Sequence, residues 1–181
     1  MRLSVANLRR LQRRRRARDG SAAVEFAMIA LPFLMMLFAI FELATVITLD
    51  SVLENATIQT GRLVRTGQAE SQGFDAVKFK QALCDRMNVF RPDCVNRARV
   101  DVRVVGNFSN PIPPIDQPTG PDDPYNGGEP GELMLVTVWY RQPVLTPFLS
   151  KGTSGSGRET VLTATTAFRN EPWGTPTPLA G

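Results

Sequence analysis

No histidine occurs anywhere in the 181 residues. That removes imidazole as a base, a proton shuttle or a metal ligand, and with it hydrolase triads and histidine-containing zinc sites. Cysteine is almost as scarce: Cys84 and Cys94 are the only two, too far apart for the C-x-x-C spacing of redox catalysis. We therefore expect no catalytic residues, no metal and no cofactor. A length of 181 residues suits one modest domain plus an anchor rather than two cored domains.

Charge is missing from one place in particular. The run Phe26 to Phe41 carries none, and after Glu42 the apolar character resumes through Leu43 to Leu49. At ~1.5 Å per residue these pieces span a ~30 Å hydrocarbon core, which predicts one transmembrane helix over residues 21–49, kinked at Pro32. The net charge of +4 belongs to what precedes it: Met1 to Gly20 holds eight arginines and one aspartate, leaving 13 basic and 16 acidic residues, a net of −3, from Ser21 onward. The run Arg13 to Arg18 lacks the interleaved aromatics that stack on bases, so nucleic acid is not an expected partner. Arginines on the N-terminal side alone place residues 1–20 in the cytoplasm and everything after about Leu49 outside it, by the positive-inside rule.

The apolar run has three readings. A cleaved secretory signal needs a small-x-small site behind its apolar stretch, and no A-x-A occurs downstream of Phe26. An uncleaved signal anchor accounts for the arginines and the span but leaves Gly20 and Glu25 as accidents. The third reading takes Gly20 to Phe26, "GSAAVEF", as a processing site. Glycine disfavours helix, which predicts an accessible, extended peptide at the membrane face, cut between Gly20 and Ser21. The new amine of Ser21, with an unperturbed pKa of ~7.7 to 8.0, is mostly cationic at neutral pH. Glu25 then lies about one helical turn deeper. A carboxylate at that depth is costly alone; paired with the amine of a neighbouring subunit it becomes an assembly register. The bland alternative is a carboxylate at a helix N-terminus, stabilised by the dipole and reaching for the headgroups. Glu42 marks the outer edge of the bilayer.

A basic leader ending in glycine, with glutamate fifth in the mature chain, is similar to the type IV prepilin signature. Within that superfamily "GSAAVEFAMIALPFLMMLFAIFELA" resembles the TadE-like minor pseudopilins of the tight-adherence, or Flp, pilus machinery. Phe26 stands where the signature commonly has tyrosine and keeps an aromatic ring. The resemblance returns in "TPFLS", Thr146 to Ser150, and "ATTAFRNEP", Ala164 to Pro172. It implies cleavage by a prepilin peptidase, other pilins and pseudopilins as partners, residence in a bacterial inner membrane, and a structural role in a pilus for adhesion or secretion.

Beyond the span, Val46, Leu49, Leu53, Ala56, Thr60 and Leu63 recur at spacings of three and four, so the helix is expected to continue as an amphipathic one until the turn-forming residues 66–73. Phe74 to Asn88 reads as a second helix with Phe74, Val77, Leu83 and Met87 on its apolar face. Three strand-like runs follow, at 97–106, 132–141 and 159–168. In the first, Val100, Val102 and Val104 alternate with Arg99, Asp101 and Arg103, which predicts a half-buried strand with its charges on a solvated face. The fold class is α+β: a long N-terminal helix carrying, over residues 73–181, an extracytoplasmic domain with a second helix and a small antiparallel sheet.

Residues 107–131, rich in proline and glycine, form a long excursion between strands. Asp122, Asp123, Asn126 and Glu129 offer oxygen atoms, but their spacing fails the EF-hand pattern and a solvated acidic loop is the simpler expectation. The sequons at Asn55 and Asn107 carry no weight in a bacterial context. Cys84 and Cys94, an even pair in an oxidising compartment, are expected to form one disulfide. The resulting expectation is a non-catalytic pilus subunit; the alternative is an uncleaved, signal-anchored periplasmic binding module.

Overall fold

The computed structural model describes residues 5–106, 116–118, 122–144 and 159–173, with side chains from residue 21 onward. The chain forms two compact units, Met1–Leu43 and Ala44–Gly181. Both contain part of α1, Val5–Arg65, a helix of 61 residues. The elements that follow are α2 (Gln68–Ser71), α3 (Ala76–Asp85), a 3-10 turn (Asn88–Phe90), α4 (Arg91–Arg97), β1 (Ala98–Val105), β2 (Leu133–Pro143) and β3 (Glu159–Arg169). The architecture is mixed α+β, as the sequence pattern predicts.

In the first unit, α1 runs without interruption through Gly20 and Ser21, which corrects the expectation of an extended peptide there. Glycine costs only ~1 kcal/mol against alanine in a helix, and a helix propagating on both sides offsets that. Pro32 also lies within α1. Its missing N–H leaves the carbonyl of residue 28 without the usual i+4 donor.

In the second unit the seam of α1 is the one expected. Leu49, Leu53, Ala56 and Thr60 are buried, Val46 and Leu63 half-buried, and Val64 extends the stripe. Thr57 and Thr60 are buried without orphaned hydroxyls, because each donates to a carbonyl one turn back, Leu53 and Ala56 respectively, at 2.8 Å. Gly61 lets α1 approach the sheet: a Cβ there would lie 3.0 Å from the Phe168 ring and 3.2 Å from the Thr166 methyl.

The sheet has the order β1-β2-β3, antiparallel throughout, with Val100 opposite Val138 and Val138 opposite Ala164. Val100, Val102, Met134, Val136, Val138, Tyr140 and Ala164 join the α1 seam in a single core, completed by Phe79, Leu83 and Met87. The strands lie within a residue or two of where their alternation predicts them.

The second helix is shorter than expected. It stops at Asp85, and residues 88–97 form the 3-10 turn and α4, with a proline in the first turn of α4. Of its expected apolar positions Leu83 and Met87 are fully buried, Phe74 packs against the core and Val77 is 61% exposed; Phe79, not among them, is fully buried. Asp75 caps α3 by accepting from the Lys78 amide at 2.7 Å. Cys84 and Cys94 are joined in the expected disulfide, which ties α3 to α4. Its ten-residue separation corresponds to about 2–3 kcal/mol of stabilisation in the chain-entropy model.

Candidate functional site

The residues from Ser21 to Leu43 have no core of their own. Val24, Phe26, Met28, Ile29, Phe33 and Phe38 are each more than 60% exposed. A helix that is apolar on every side needs an apolar surrounding, since water would be ordered around its whole girth. One helix of the described residues, Ser21–Arg65, is long and apolar enough to cross a membrane by length and composition, with a mean hydropathy of 2.3 in its best window.

At the start of this apolar stretch the Ser21 hydroxyl donates to Glu25 Oε1 at 3.3 Å, one turn along α1. Sequence spacing alone placed Glu25 a turn from Ser21 and proposed the amine as its counter-charge; it did not foresee the hydroxyl contact. Gly20 lies in the helix immediately before, and Phe26 is 73% exposed immediately after. The four residues are thus consecutive parts of one helical turn and its flanks. Thr48 and Ser51, farther along α1, turn their hydroxyls onto the Ala44 and Ile47 carbonyls at 2.8 and 3.1 Å, satisfying them within the helix.

In the second unit three contacts fix the parts the sequence left loose. Asp123, only 4% exposed in its side chain, pairs with Lys80 of α3 and Arg99 of β1. Arg99 also donates to the Asp122 carbonyl at 3.3 Å. The neighbouring Tyr125 forms a parallel bridge to Val102, with Asn126 N donating to Val102 O at 2.8 Å, so this segment covers the free edge of β1. The charges on β1 are accordingly only in part a solvated face: Arg103 is exposed as expected, whereas Arg99 is half-buried against Asp123 and Asp101 is buried and held by the Arg103 guanidinium. That hydrogen bond to Asp101 raises the Arg103 pKa above its ordinary value, against the opposing cost of burial. Burial pushes the Tyr125 hydroxyl up to about 12, with help from the negative charges of Glu70 and Asp75. Its ring sits 5.9 Å from that of Phe79.

The second contact is at the end of α1. Glu171 N and Trp173 Nε1 both donate to the Arg65 carbonyl, at 2.9 and 3.1 Å, and the Glu171 carboxylate pairs with the Arg65 guanidinium at 3.0 Å. Gly67, with φ of 73°, lies under the Trp173 ring where no side chain would fit. The third is Asn170, whose amide donates to the Gly127 and Glu129 carbonyls at 3.0 and 3.1 Å and so pins the turn before β2. The "RNEP" that carried part of the resemblance, Arg169 to Pro172, is therefore the stretch that locks the sheet to α1; Thr146 to Ser150 lies outside the described residues.

The oxygen atoms considered for calcium have internal work. Asp123 is neutralised by two cations, and Asn126 Oδ1 accepts from Gly128 N at 3.0 Å. Among the described residues no group of three or more histidine, cysteine, aspartate or glutamate residues is arranged to hold a metal ion. Among the described residues an open groove of about 440 Å³ lies beside Glu70, Glu129 and Trp173, and another of about 530 Å³ beside the disulfide.

A protein-family model described as TadE-like protein matches residues 20–62. Over that segment the chain is similar to the family. The TadE-like match begins at Gly20 and leaves out the arginine-rich residues before it; it takes in Ser21, Glu25 and Phe26, the whole apolar stretch and most of the buried seam of α1. It is the family named from the residues themselves. No curated protein and no solved structure matches the chain.

Proposed function

We propose that the chain is a non-catalytic, minor pseudopilin-like membrane subunit that takes part in assembling a tight-adherence pilus of the Flp type, for surface adhesion or secretion. The observation that carries the reading is the start of the TadE-like match at Gly20, the residue after which the sequence motif places processing. The match thus begins at the residue before the cut and runs on through the part that the cut would leave. In this reading a prepilin peptidase cuts between Gly20 and Ser21, the Ser21 amine becomes the N-terminus, and Glu25 pairs with that amine on a neighbouring pilin or pseudopilin helix. Two charges that would each be costly in hydrocarbon then neutralise each other across the subunit contact. The arginines keep residues 1–20 cytoplasmic and the second unit lies on the other side of the inner membrane.

The continuous helix through Gly20 and Ser21 bears on how the peptidase would act. It has to unwind a turn before cutting, and glycine makes that turn the weakest available. The same continuity favours a second reading, an uncleaved signal-anchored module whose second unit binds a protein or envelope ligand. Intact-mass measurement separates the two. Coexpression with a matching prepilin peptidase, shown active on a control pilin, is expected to give a membrane-associated product beginning at Ser21. Recovery of the full chain alone would establish the anchored module instead.

A further inference from the structure

We infer that Ser21 is a positioning residue for Glu25: its hydroxyl holds the carboxylate turned toward the N-terminal end of the helix, where the partner charge has to arrive. The observation is the Ser21 Oγ to Glu25 Oε1 hydrogen bond of 3.3 Å within α1. Both residues stand at the start of a segment whose remaining side chains up to Phe41 are uncharged. A carboxylate has two oxygens and about four acceptor sites to satisfy, and an apolar stretch offers it few donors. A hydrogen bond to it counts for more as the surrounding dielectric falls.

The direction of the contact matters as much as its strength. Side chains on a helix lean toward its N-terminus, so a glutamate reaching back one turn meets the residue four before it. That residue is Ser21, which in the proposed mature chain carries the amine as well as the hydroxyl. The carboxylate is thus parked beside the group it would exchange for a neighbour's amine. It need not cross a state in which it has no donor at all. Ser21 would keep Glu25 accompanied before, during and after the change of partner.

The assembly consequence rests on the pairing reading given above; the effect on Glu25 itself does not, because the hydrogen bond is present in the uncut helix. The first measurement is made on the full, uncut chain in phosphatidylcholine vesicles at one neutral pH, with isotope-edited infrared following the carboxylate stretch of Glu25. Ser21→Ala removes a donor to that carboxylate, so the band is expected to shift, and Ser21→Thr to return it to the parent's position. A band that is the same in parent and Ser21→Ala would overturn the inference outright.

The second measurement is crosslinking to the pilus machinery in cells that hold matched amounts of each form. Ser21→Ala is expected to associate roughly tenfold less than the parent, the low end of what a hydrogen bond to a charged group is worth. Ser21→Thr is expected to behave as the parent. If Ser21→Ala associates normally while Glu25→Gln does not, pairing stands and the role of Ser21 falls. If Glu25→Gln also associates normally, the pairing reading itself has failed.

Discussion

Two stretches of α1 have the same backbone and opposite surroundings. Between Val24 and Leu43 the large apolar side chains are exposed, from 45% at Leu34 to 73% at Phe26, save Leu37, which is half-buried. Between Leu49 and Val64 the apolar side chains of the seam, Leu49, Leu53, Ala56 and Val64, are 2% exposed or less. Helix geometry does not separate them, and neither does hydrophobicity residue by residue. What separates them is the opposite face: Asp50, Glu54, Asn55, Gln59 and Arg62 are exposed polar residues on the second stretch, and Phe26 to Phe41 has no charge to set against its apolar side chains. A one-sided stripe calls for a protein core, and an all-round apolar surface calls for an apolar solvent. One helix thereby meets two solvents, and the change falls in the middle of a continuous element.

The comparison breaks most sharply by exchanging the failures. Met35→Arg with Phe38→Arg places two charges in the exposed apolar stretch, at roughly 2.5–3.5 kcal/mol each at a bilayer centre. Membrane association is expected to be lost on fractionation, with the thermal transition of the second unit unchanged. Leu53→Ala is expected to do the reverse, leaving membrane association intact and destabilising the second unit by about 2–5 kcal/mol in denaturant titration, because Leu53 is fully buried. If either variant showed both effects, the two stretches would not be separate.

A smaller effect tests how the second unit holds its edge. Asp123→Asn leaves Lys80 and Arg99 facing each other without their shared anion. The expected loss is about 3 kcal/mol, the low end for breaking a buried pair, since both cations retain some contact with water. Faster amide exchange at Val102 and Asn126, whose backbones hydrogen-bond each other across this edge, is the confirming measurement. The Leu53 and Asn170 amides should be unaffected.

The smallest effect is confined to alkaline pH. The Tyr125 hydroxyl has a folded pKa of about 12 against an ordinary 10.0. The folded state therefore binds more protons than the unfolded one between those values, and stability falls as pH rises from 10 toward 12. Below pH 10 both states hold the proton and the contribution is complete. Tyr125→Phe is expected to flatten that decline, read as the dependence of the urea midpoint on pH, with little change at pH 7. A decline of the same slope in the variant would place its origin elsewhere.

The sheet was legible because Val100, Val102 and Val104 alternate cleanly and β2 and β3 are rich in valine and threonine. The α1 seam was legible because its period persists for five turns. The face of α3 was legible only in part: Val77 and Phe79 are both apolar and two apart, and it is Phe79, one turn before the buried Leu83, that enters the core, its ring tilted against that of Tyr125. Residues 91–97 read as a connection because the helix there is a bare two turns long. Arg99 of β1 looked solvated because its partner, Asp123, lies in a proline-rich excursion with no periodicity to place it. At the N-terminal site the spacing of Gly20, Ser21 and Glu25 was readable, and the serine hydroxyl's bond to the carboxylate was not, because serine at that position reads simply as a small residue beside a cut.

The Arg65 carbonyl has a further implication for timing. It ends α1, and the amide of Glu171 and the indole of Trp173 that satisfy it arrive more than a hundred residues later in the chain. A ribosome releases the helix long before it releases its cap. Until Trp173 has emerged and crossed to wherever the second unit folds, the end of α1 has to be satisfied by water or by a chaperone. The fold of the second unit thus waits on Trp173, and a chain halted anywhere before it would carry its membrane helix complete and its other half unfinished.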